Sequence, residues 1–514
     1  MTTAEPDNDD IETTAEVLIA GAGPVGLMLA GELALAGVHA VVVEASAHPH
    51  GEEKARGVGV LGAEALRRRG LGTRLRMPFR PGRPDTAWYM GQHQSHFAWI
   101  HKFDHGSMRE PGRTPAVIFQ PELEQLLAEH ARDLGVRIHR GYTVVELASH
   151  DDRILTSTQT RHGQREFTSR YVVGCDGGHS DVRKLWNFDF PGVAPTGVHL
   201  MARLKVEDPT RLPAEMEGPK GAFASRGPRD GWMGVRMSEP VDGGERGPRD
   251  PLTIEEIRDA IRRVTGVDIA ITEMEGARRG YDNSRQAGTY RLGRVFLAGD
   301  AAHVHSPLGG QGLNLGLMDA VNLGWKLAYA VRGAVNAEDL LDSYTRERHP
   351  VGAAVLHNTR AQTALLAPTP HAQAMRDIVS DLLDIHEVKV FFNEMMTGTA
   401  IRYPLPHTVG DHPLLGGHIG NVVIDDTSLY TLMADGRPLL IHHVALTDIA
   451  SVAQPWADRV HIHSALTLDR TDLAAALIRP DGVVVWAAEP RTPPDPQTLL
   501  DALATWFGPA STQK

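Results

Sequence analysis

The apolar pattern begins with the run Val17 to Ala20, which reads as a buried strand ending in the cluster Gly21-Ala22-Gly23-Pro24-Val25-Gly26. The following segment LMLAGELALAG has the spacing of a buried helix, and Val38 to Val43 returns as a strand ending in Glu44. Together they make one βαβ unit. Glycines, Pro24, Glu32 and His39 interrupt the stretch from Val17 to Val43, so a protein interior suits it better than lipid. Two later strands also run into glycines. Tyr171 to Val173 precedes Gly174-Cys175-Asp176-Gly177-Gly178, with Ser180 and Arg183 beyond; Val295 to Ala298 precedes Gly299-Asp300, a loop rich in proline and glycine, and an amphipathic helix from about Gly312 to Ala330. Between them, Trp186 to Tyr281 alternates in patches such as VHLMARLKV and WMGVRMS, with a short helix near Ile254 to Val264, which predicts an antiparallel sheet roofing a pocket. The pattern shifts again near Pro404. Strands at Pro438–Ala445, Arg459–His463 and Ala476–Ile478, the turn Arg479-Pro480-Asp481-Gly482 into VVVWAA, and an amphipathic segment Pro496–Phe507 predict a closing α/β unit.

The first glycine cluster carries a chemistry. Gly21 suits the tight turn, Gly23 lets a pyrophosphate approach the backbone, and Gly26 allows close helix–strand packing. The N-terminus of the helix behind them offers unpaired N–H groups and a partial positive charge to a diphosphate, and Glu44 can accept hydrogen bonds from an adenosine ribose. A dinucleotide is the expected ligand. Composition narrows the class: 514 residues suit two to four domains, and 42% hydrophobic with 23% charged residues is ordinary for a folded enzyme. The net charge of −12 disfavours nucleic acid. Cys175, the single cysteine, forms no internal disulfide or CxxC pair and points to a reducing cytoplasm. The acidic start, residues 1–14, reads as a frayed tail without the features of a secretory signal.

The three glycine motifs, in this order and spacing, resemble those of the FAD-dependent aromatic hydroxylases, the single-component flavoprotein monooxygenases related to p-hydroxybenzoate hydroxylase. VIFQPELEQLLAEHA, RQAGTYRLGRVF and SYTRERHPVGAAVLHNTRAQ extend the likeness over most of residues 15–400, and within the family the length and tail are similar to actinobacterial polyketide-antibiotic hydroxylases and rifampicin monooxygenases. The resemblance implies an α/β fold: a Rossmann-like FAD-binding domain (15–185 and 286–400), an inserted antiparallel substrate domain (186–285, with 78–115 contributing) and a thioredoxin-like C-terminal domain (401–514) lacking CxxC. It implies that Asp300 holds the ribityl chain, Glu44 the ribose and Gln120 the ribityl–pyrophosphate region. Leu313 and Asn314 would aim backbone N–H groups at the flavin from a loop shaped by Pro307, Gly310 and Gly312. Asp176 and Arg183 would meet both non-covalent FAD and transient NADPH. Read singly, each has a plainer role, since an aspartate after a strand often caps a helix and a PLGG loop is often only a turn.

The chain departs from the family where relatives read R-A-x-G-L-H-x-R-T. Here Lys54-Ala55-Arg56-Gly57-Val58-Gly59-Val60-Leu61-Gly62 loses the planar fork at position 54, where Arg56 can substitute, and leaves the wall at Gly59 and Leu61 less polar. Pro78 to Pro115 is rich in Trp88, Tyr89, Trp99 and Phe103 and holds His93, His96, His101 and His105. Irregular spacing disfavours a metal site there. Stacking of a flat substrate on Trp88, Tyr89 and Trp99, with Met233 from the sheet, is the expectation. The implied reaction is NADPH- and O2-dependent hydroxylation of a polycyclic phenol or quinone through a flavin C4a-hydroperoxide, by a monomer or homodimer. Baeyer–Villiger or ring-opening oxygenation, a flavin oxidase, and a non-catalytic FAD-fold binder remain as alternatives.

Overall fold

The structure is a computed structural model that describes residues 13–511 apart from 50–54, 77–95, 104–106, 111, 219, 230, 242–250, 334–336, 368, 407–410 and 492–493. Strand β1 (Thr14–Ala20) leads through α1 (Pro24–Leu35) to β2 (Ala40–Glu44), each nearly wholly buried, as continuous Val/Ile/Leu runs require in a parallel sheet covered on both faces. Thr14, expected in the tail, already pairs with Thr168. After α2 (Val60–Arg68) and α3 (Gln120–Asp133), β3 (Arg137–Arg140) adds to the free side of β2, while the meander β4 (Thr143–His150), β5 (Arg153–Thr160) and β6 (Gly163–Gly174) brings β6 parallel against β1. The short helix α4 (Asp181–Leu185) follows.

A second sheet comprises β7 (Gly197–Val206), β8 (Glu215–Gly218), β9 (Gly221–Arg229), β10 (Trp232–Pro240) and β11 (Ile271–Tyr281), in the antiparallel order β11-β7-β10-β9-β8. Its central strands alternate in burial. Leu200, Ala202, Leu204, Phe223, Val235 and Met237 point to one face and pack on α5 (Ile254–Thr265), whose entry is fixed by a capping box between Thr253 and Glu256. Met233 belongs to this face. It is 3% exposed in the sheet–helix core, so the period of two puts it on the side away from the pocket, and its expected place in the substrate wall is corrected.

Strand β12 (Val295–Leu297) returns to the first sheet beside β6, so β12, β6, β1 and β2 run in parallel with their carboxyl ends aligned. The helices α6 (Gly312–Arg332), α7 (Ala337–Leu365), α8 (Pro370–Leu382) and α9 (His386–Thr397) complete this part. The last part pairs β13 (Leu439–His443) and β14 (His461–Ala465) in parallel across α10 (Thr447–Ala453), then adds the antiparallel hairpin β15 (Ala475–Ile478) and β16 (Val484–Ala488) before α11 (Pro496–Phe507). This is the thioredoxin-like arrangement. Its hairpin turn, tightened by Gly482 at φ +86, is buried rather than on the surface. There the Arg479 guanidinium spans both oxygens of Glu347 on α7 at 2.8 Å and meets Asp481, while Lys326 of α6 reaches the same Glu347 at 2.8 Å; all four side chains are at most 2% exposed. Two cations and two anions balance, and Trp325 and Trp506 cover the guanidinium at 5.0 and 4.6 Å.

His418 lies in the same interface, 5% exposed, with its ring edge-on to Tyr403 at 5.5 Å. Burial, more than any neighbouring charge, holds its imidazole down at about 3 against an ordinary value of 6.5. As pH falls below 6.5 the unfolded chain takes up a proton that the folded chain refuses, so stability is lost from that pH downward, by about 1.4 kcal/mol per pH unit for this group. Urea midpoints measured from pH 7 to about 5 should therefore fall less steeply in His418→Phe than in the wild type. Parallel pH curves would refute the assignment.

Candidate active site

Three loops meet at the carboxyl edge of the parallel sheet, the usual ligand position in such sheets. Their convergence is close. Gly21 follows β1 with φ +110, its N–H donating to Val43 at 2.7 Å, and a Cβ there would lie 2.4 Å from the Cys175 carbonyl of the loop after β6. Val25 of α1 packs against Gly299, after β12, and Gly316 of α6. At Gly26 an added Cβ would sit 2.0 Å from the Gly21 carbonyl, whereas at Gly23 it would meet nothing within 4 Å. Gly26 is thus required by packing. Gly23 leaves the space over the α1 N-terminus that a diphosphate needs.

Glu44 closes this turn, its carboxylate accepting from Ala22 N–H and Ser46 N–H, each at 2.8 Å. Asp300 stands exposed on a single helical turn, Gly299–Ala301, with no hydrogen bond to the described residues. Asp176 accepts from the N–H groups of Asp181 and Val182 at 2.8 and 3.0 Å, so it caps α4, yet its other oxygen is buried without a partner. Burial pushes its carboxyl above the usual range. Arg183 is 6% exposed, donates to Ala301 and Gly178 carbonyls at 2.7 and 2.8 Å, and stacks 3.8 Å over Phe190. It ties the second motif to the third. Cys175 lies behind Gly26, where burial pushes its thiol well up and away from thiolate chemistry.

The third loop bends through Pro307 and consecutive glycines at φ +75 and +62, Gly309 and Gly310, into α6 at Gly312. The N–H groups of Gly312, Leu313 and Asn314 have no intrahelical acceptor and form the positive end of a 21-residue helix dipole. Asn314 also explains the departure at position 59. Its Oδ1 accepts from Gly59 N–H at 2.5 Å, and a Cβ at Gly59 or Gly62 would come within 3.0 or 2.8 Å of its side chain. The wall expected to be less polar is filled by that amide. Gln120 opens α3, its backbone N–H held by Ala55 at 2.9 Å and its amide donating to Glu124 at 2.8 Å; Arg56 on the same loop is exposed.

Trp88, Tyr89, His93, His105 and Lys54 fall outside the described residues. Trp99 is described, half-buried at φ +60, with its backbone N–H 3.4 Å from His96 Nδ1 and its indole N–H buried without a partner. The segment 96–103 packs on α8 and α9 through Phe97, Phe103, Leu383 and Phe392, and Gln362 links Ala98 to the Gly309 turn. Burial, then the charge of Arg236, hold His96 down at about 3. Among the described residues no group of three His, Cys, Asp or Glu side chains gathers as a metal site, and no helix is long and apolar enough to cross a membrane. Arg236 and His199, which the sequence reading did not single out, lie on the sheet face opposite α5, and the charge of Arg236 reaches His96 of this segment; strand parity places both on that face.

A glycine cradle on a helix N-terminus, a carboxylate oxygen without a partner among the described residues and a second open helix N-terminus fit a flavin dinucleotide, which Gly21–Gly26, Glu44, Asp300 and the start of α6 would hold. The class is thus a Rossmann-type flavoprotein with a roofing antiparallel sheet. The chain belongs to the FAD-binding aromatic hydroxylases: residues 14–359 match the family described as FAD binding domain, and residues 412–510 the family described as aromatic-ring hydroxylase, C-terminal. It is similar to a 12-dehydrotetracycline 5-monooxygenase/anhydrotetracycline 6-monooxygenase of Streptomyces rimosus subsp. rimosus, at 38% identity over 96% of this chain and 99% of the relative. A rifampicin monooxygenase of Streptomyces venezuelae is 37% identical over the same shares. The solved anhydrotetracycline hydroxylase from Streptomyces rimosus superposes with a TM-score of 0.86 at 35% identity, covering 97% of this chain and all of the other. The protein is an FAD-dependent monooxygenase.

Proposed function

We propose that the enzyme uses NADPH and O2 to hydroxylate a polycyclic, polyketide-type phenol or quinone in the space between the α6 N-terminus, the segment 96–103 and the antiparallel sheet. The observation that carries this reading is that Gln362 ties the turn leading into the α6 N-terminus to the aromatic and histidine-bearing segment. When bound, FAD supplies reductive activation of O2 and transfer of one oxygen atom. The chain does the rest. Gly312, Leu313 and Asn314 N–H groups stabilise negative charge on the flavin, and the Pro307–Gly310 turn with Met396 and Gln362 packed on it excludes water. A cavity of about 460 Å³ beside the second motif, lined by Arg183, Lys184, Phe188, Phe190 and Arg285, supports NADPH as the reductant, because cations and rings suit a phosphorylated flat cosubstrate. In this reading residues 401–514 brace α6 and α7 without redox turnover.

Turnover in isotopically labelled O2 tests the proposal. One labelled oxygen atom in the product of a polycyclic phenol, with NADPH oxidation slow in its absence, is the expected result. Unlabelled product with stoichiometric hydrogen peroxide would replace it with an oxidase, and a labelled lactone or ring-opened acid with the Baeyer–Villiger or ring-opening variant.

A further inference from the structure

The face of the antiparallel sheet turned away from α5 carries three cross-strand rungs: Arg226–Gly234–Arg203, Ala224–Arg236–Met201 and Ala222–Ser238–His199. The outer arginines have partners, Arg226 with Glu215 at 2.9 Å and Arg203 with Glu275. Arg236 does not. It is exposed between Gly234 and the small side chain of Ala224, makes no ion pair or hydrogen bond among the described residues, and has only cations, Arg56, Arg226 and Arg278, as its charged influences. Within a chain of net charge −12, this is a local positive field with no counter-ion among the described residues.

A second observation lies on the neighbouring rung. His199 is 8% exposed, its Nδ1 is 2.7 Å from Ser238 Oγ, and its Nε2 is buried without a partner. Burial keeps its imidazole below the ordinary value, as it does for His96 and His101 across the space. Neutral imidazoles supply no charge for the arginines. The missing component is an anionic oxygen flanked by a second polar atom.

We propose that Arg236 anchors the substrate as its anion, a phenolate or quinone enolate, with His199 Nε2 meeting the adjacent oxygen. The assignment rests on the monooxygenase reading above and names the ionisation state in which the substrate is recognised. The guanidinium fork fits two neighbouring oxygens of a hydroxyquinone, and a bound anion is the electron-rich form that electrophilic oxygen transfer requires.

The test uses the FAD-loaded full-length enzyme titrated with a dihydroxyanthraquinone and with its dimethyl ether, which cannot ionise. The wild type should bind the phenol with the red-shifted spectrum of its anion at a pH where the free compound is neutral. Arg236→Gln should retain FAD, lose that spectrum and weaken phenol binding about 30-fold, the scale of a charge-assisted hydrogen bond, with ether binding changed less than about threefold. Arg236→Lys should recover part of the affinity. Unchanged phenol affinity in Arg236→Gln, a neutral spectrum in the wild-type complex, no binding to the wild type, or a defect confined to the KM for NADPH would each overturn the assignment. If Arg236→Gln incorporates labelled oxygen with unchanged KM, the anion site falls and the monooxygenase stands. Anion binding lost in Arg236→Gln, with no labelled product from the wild type, keeps the anion site and removes the monooxygenase.

Discussion

Arg479→Met should destabilise the full-length protein by about 3–5 kcal/mol, because it leaves Glu347 and Asp481 facing Lys326 alone, with one negative charge uncompensated in a site at most 2% exposed. Burial already pulls Lys326 down to about 8, so its charge is a weak substitute. Removing both members of the bidentate pair, as Arg479→Met with Glu347→Leu, should cost less than Arg479→Met alone, since no orphan carboxylate of that pair remains. Urea unfolding followed by tryptophan fluorescence reports directly on this interface, because Trp325 and Trp506 flank the guanidinium. Retained FAD absorbance through the first transition would show that the C-terminal part leaves before the cofactor site opens. If Arg479→Met unfolds with the wild-type midpoint and slope, the network contributes nothing to stability.

Gly26→Val should yield a colourless protein. Its Cβ would stand 2.0 Å from the Gly21 carbonyl, a backbone atom that cannot swing aside, so either α1 shifts away from β1 or the turn opens. Both movements displace the N–H groups that meet the diphosphate, and FAD affinity should fall by more than about 100-fold, the scale of two lost charge-assisted hydrogen bonds. Gly23→Ala is the control, because a Cβ there meets no protein atom and acts only on the ligand. It should fold with the wild-type circular dichroism and lose flavin, whereas Gly26→Val should also lose thermal stability. Full flavin content in purified Gly26→Val would exclude this loop as the cofactor site.

The FAD motifs were legible because each is local. A βαβ unit is encoded by adjacent residues: apolar runs for buried strands, glycines where φ is positive or a Cβ would collide, and a proline in the first turn of α1. The same holds for α5 and its capping box and for the Arg479–Gly482 turn, which form where they were expected. Met233 was misplaced for an equally local reason. Its neighbours Val235 and Met237 share its parity, and Arg236 and Ser238 take the other, so the strand's period of two, applied strictly, puts Met233 on the helix-packed face and Arg236 on the opposite one.

By itself the sequence determined the class of the protein, its cofactor and the residues of the three motifs, because backbone conformation and short-range packing impose those patterns on neighbouring positions. Only the tertiary structure decided what those residues touch. Asn314 lies 255 positions from Gly59 and fills the space its glycine leaves, Arg479 lies 132 positions from Glu347, and Asp176 caps α4 with one oxygen while the other has no hydrogen-bond partner among the described residues. Such contacts depend on which surfaces the folded sheets bring together, and no periodicity along the chain encodes a meeting between residues so far apart. Ion pairing follows the same rule: Arg226 and Arg236 are both arginines on one sheet face, and only their three-dimensional neighbours give one a surface salt bridge and leave the other without an ion pair among the described residues.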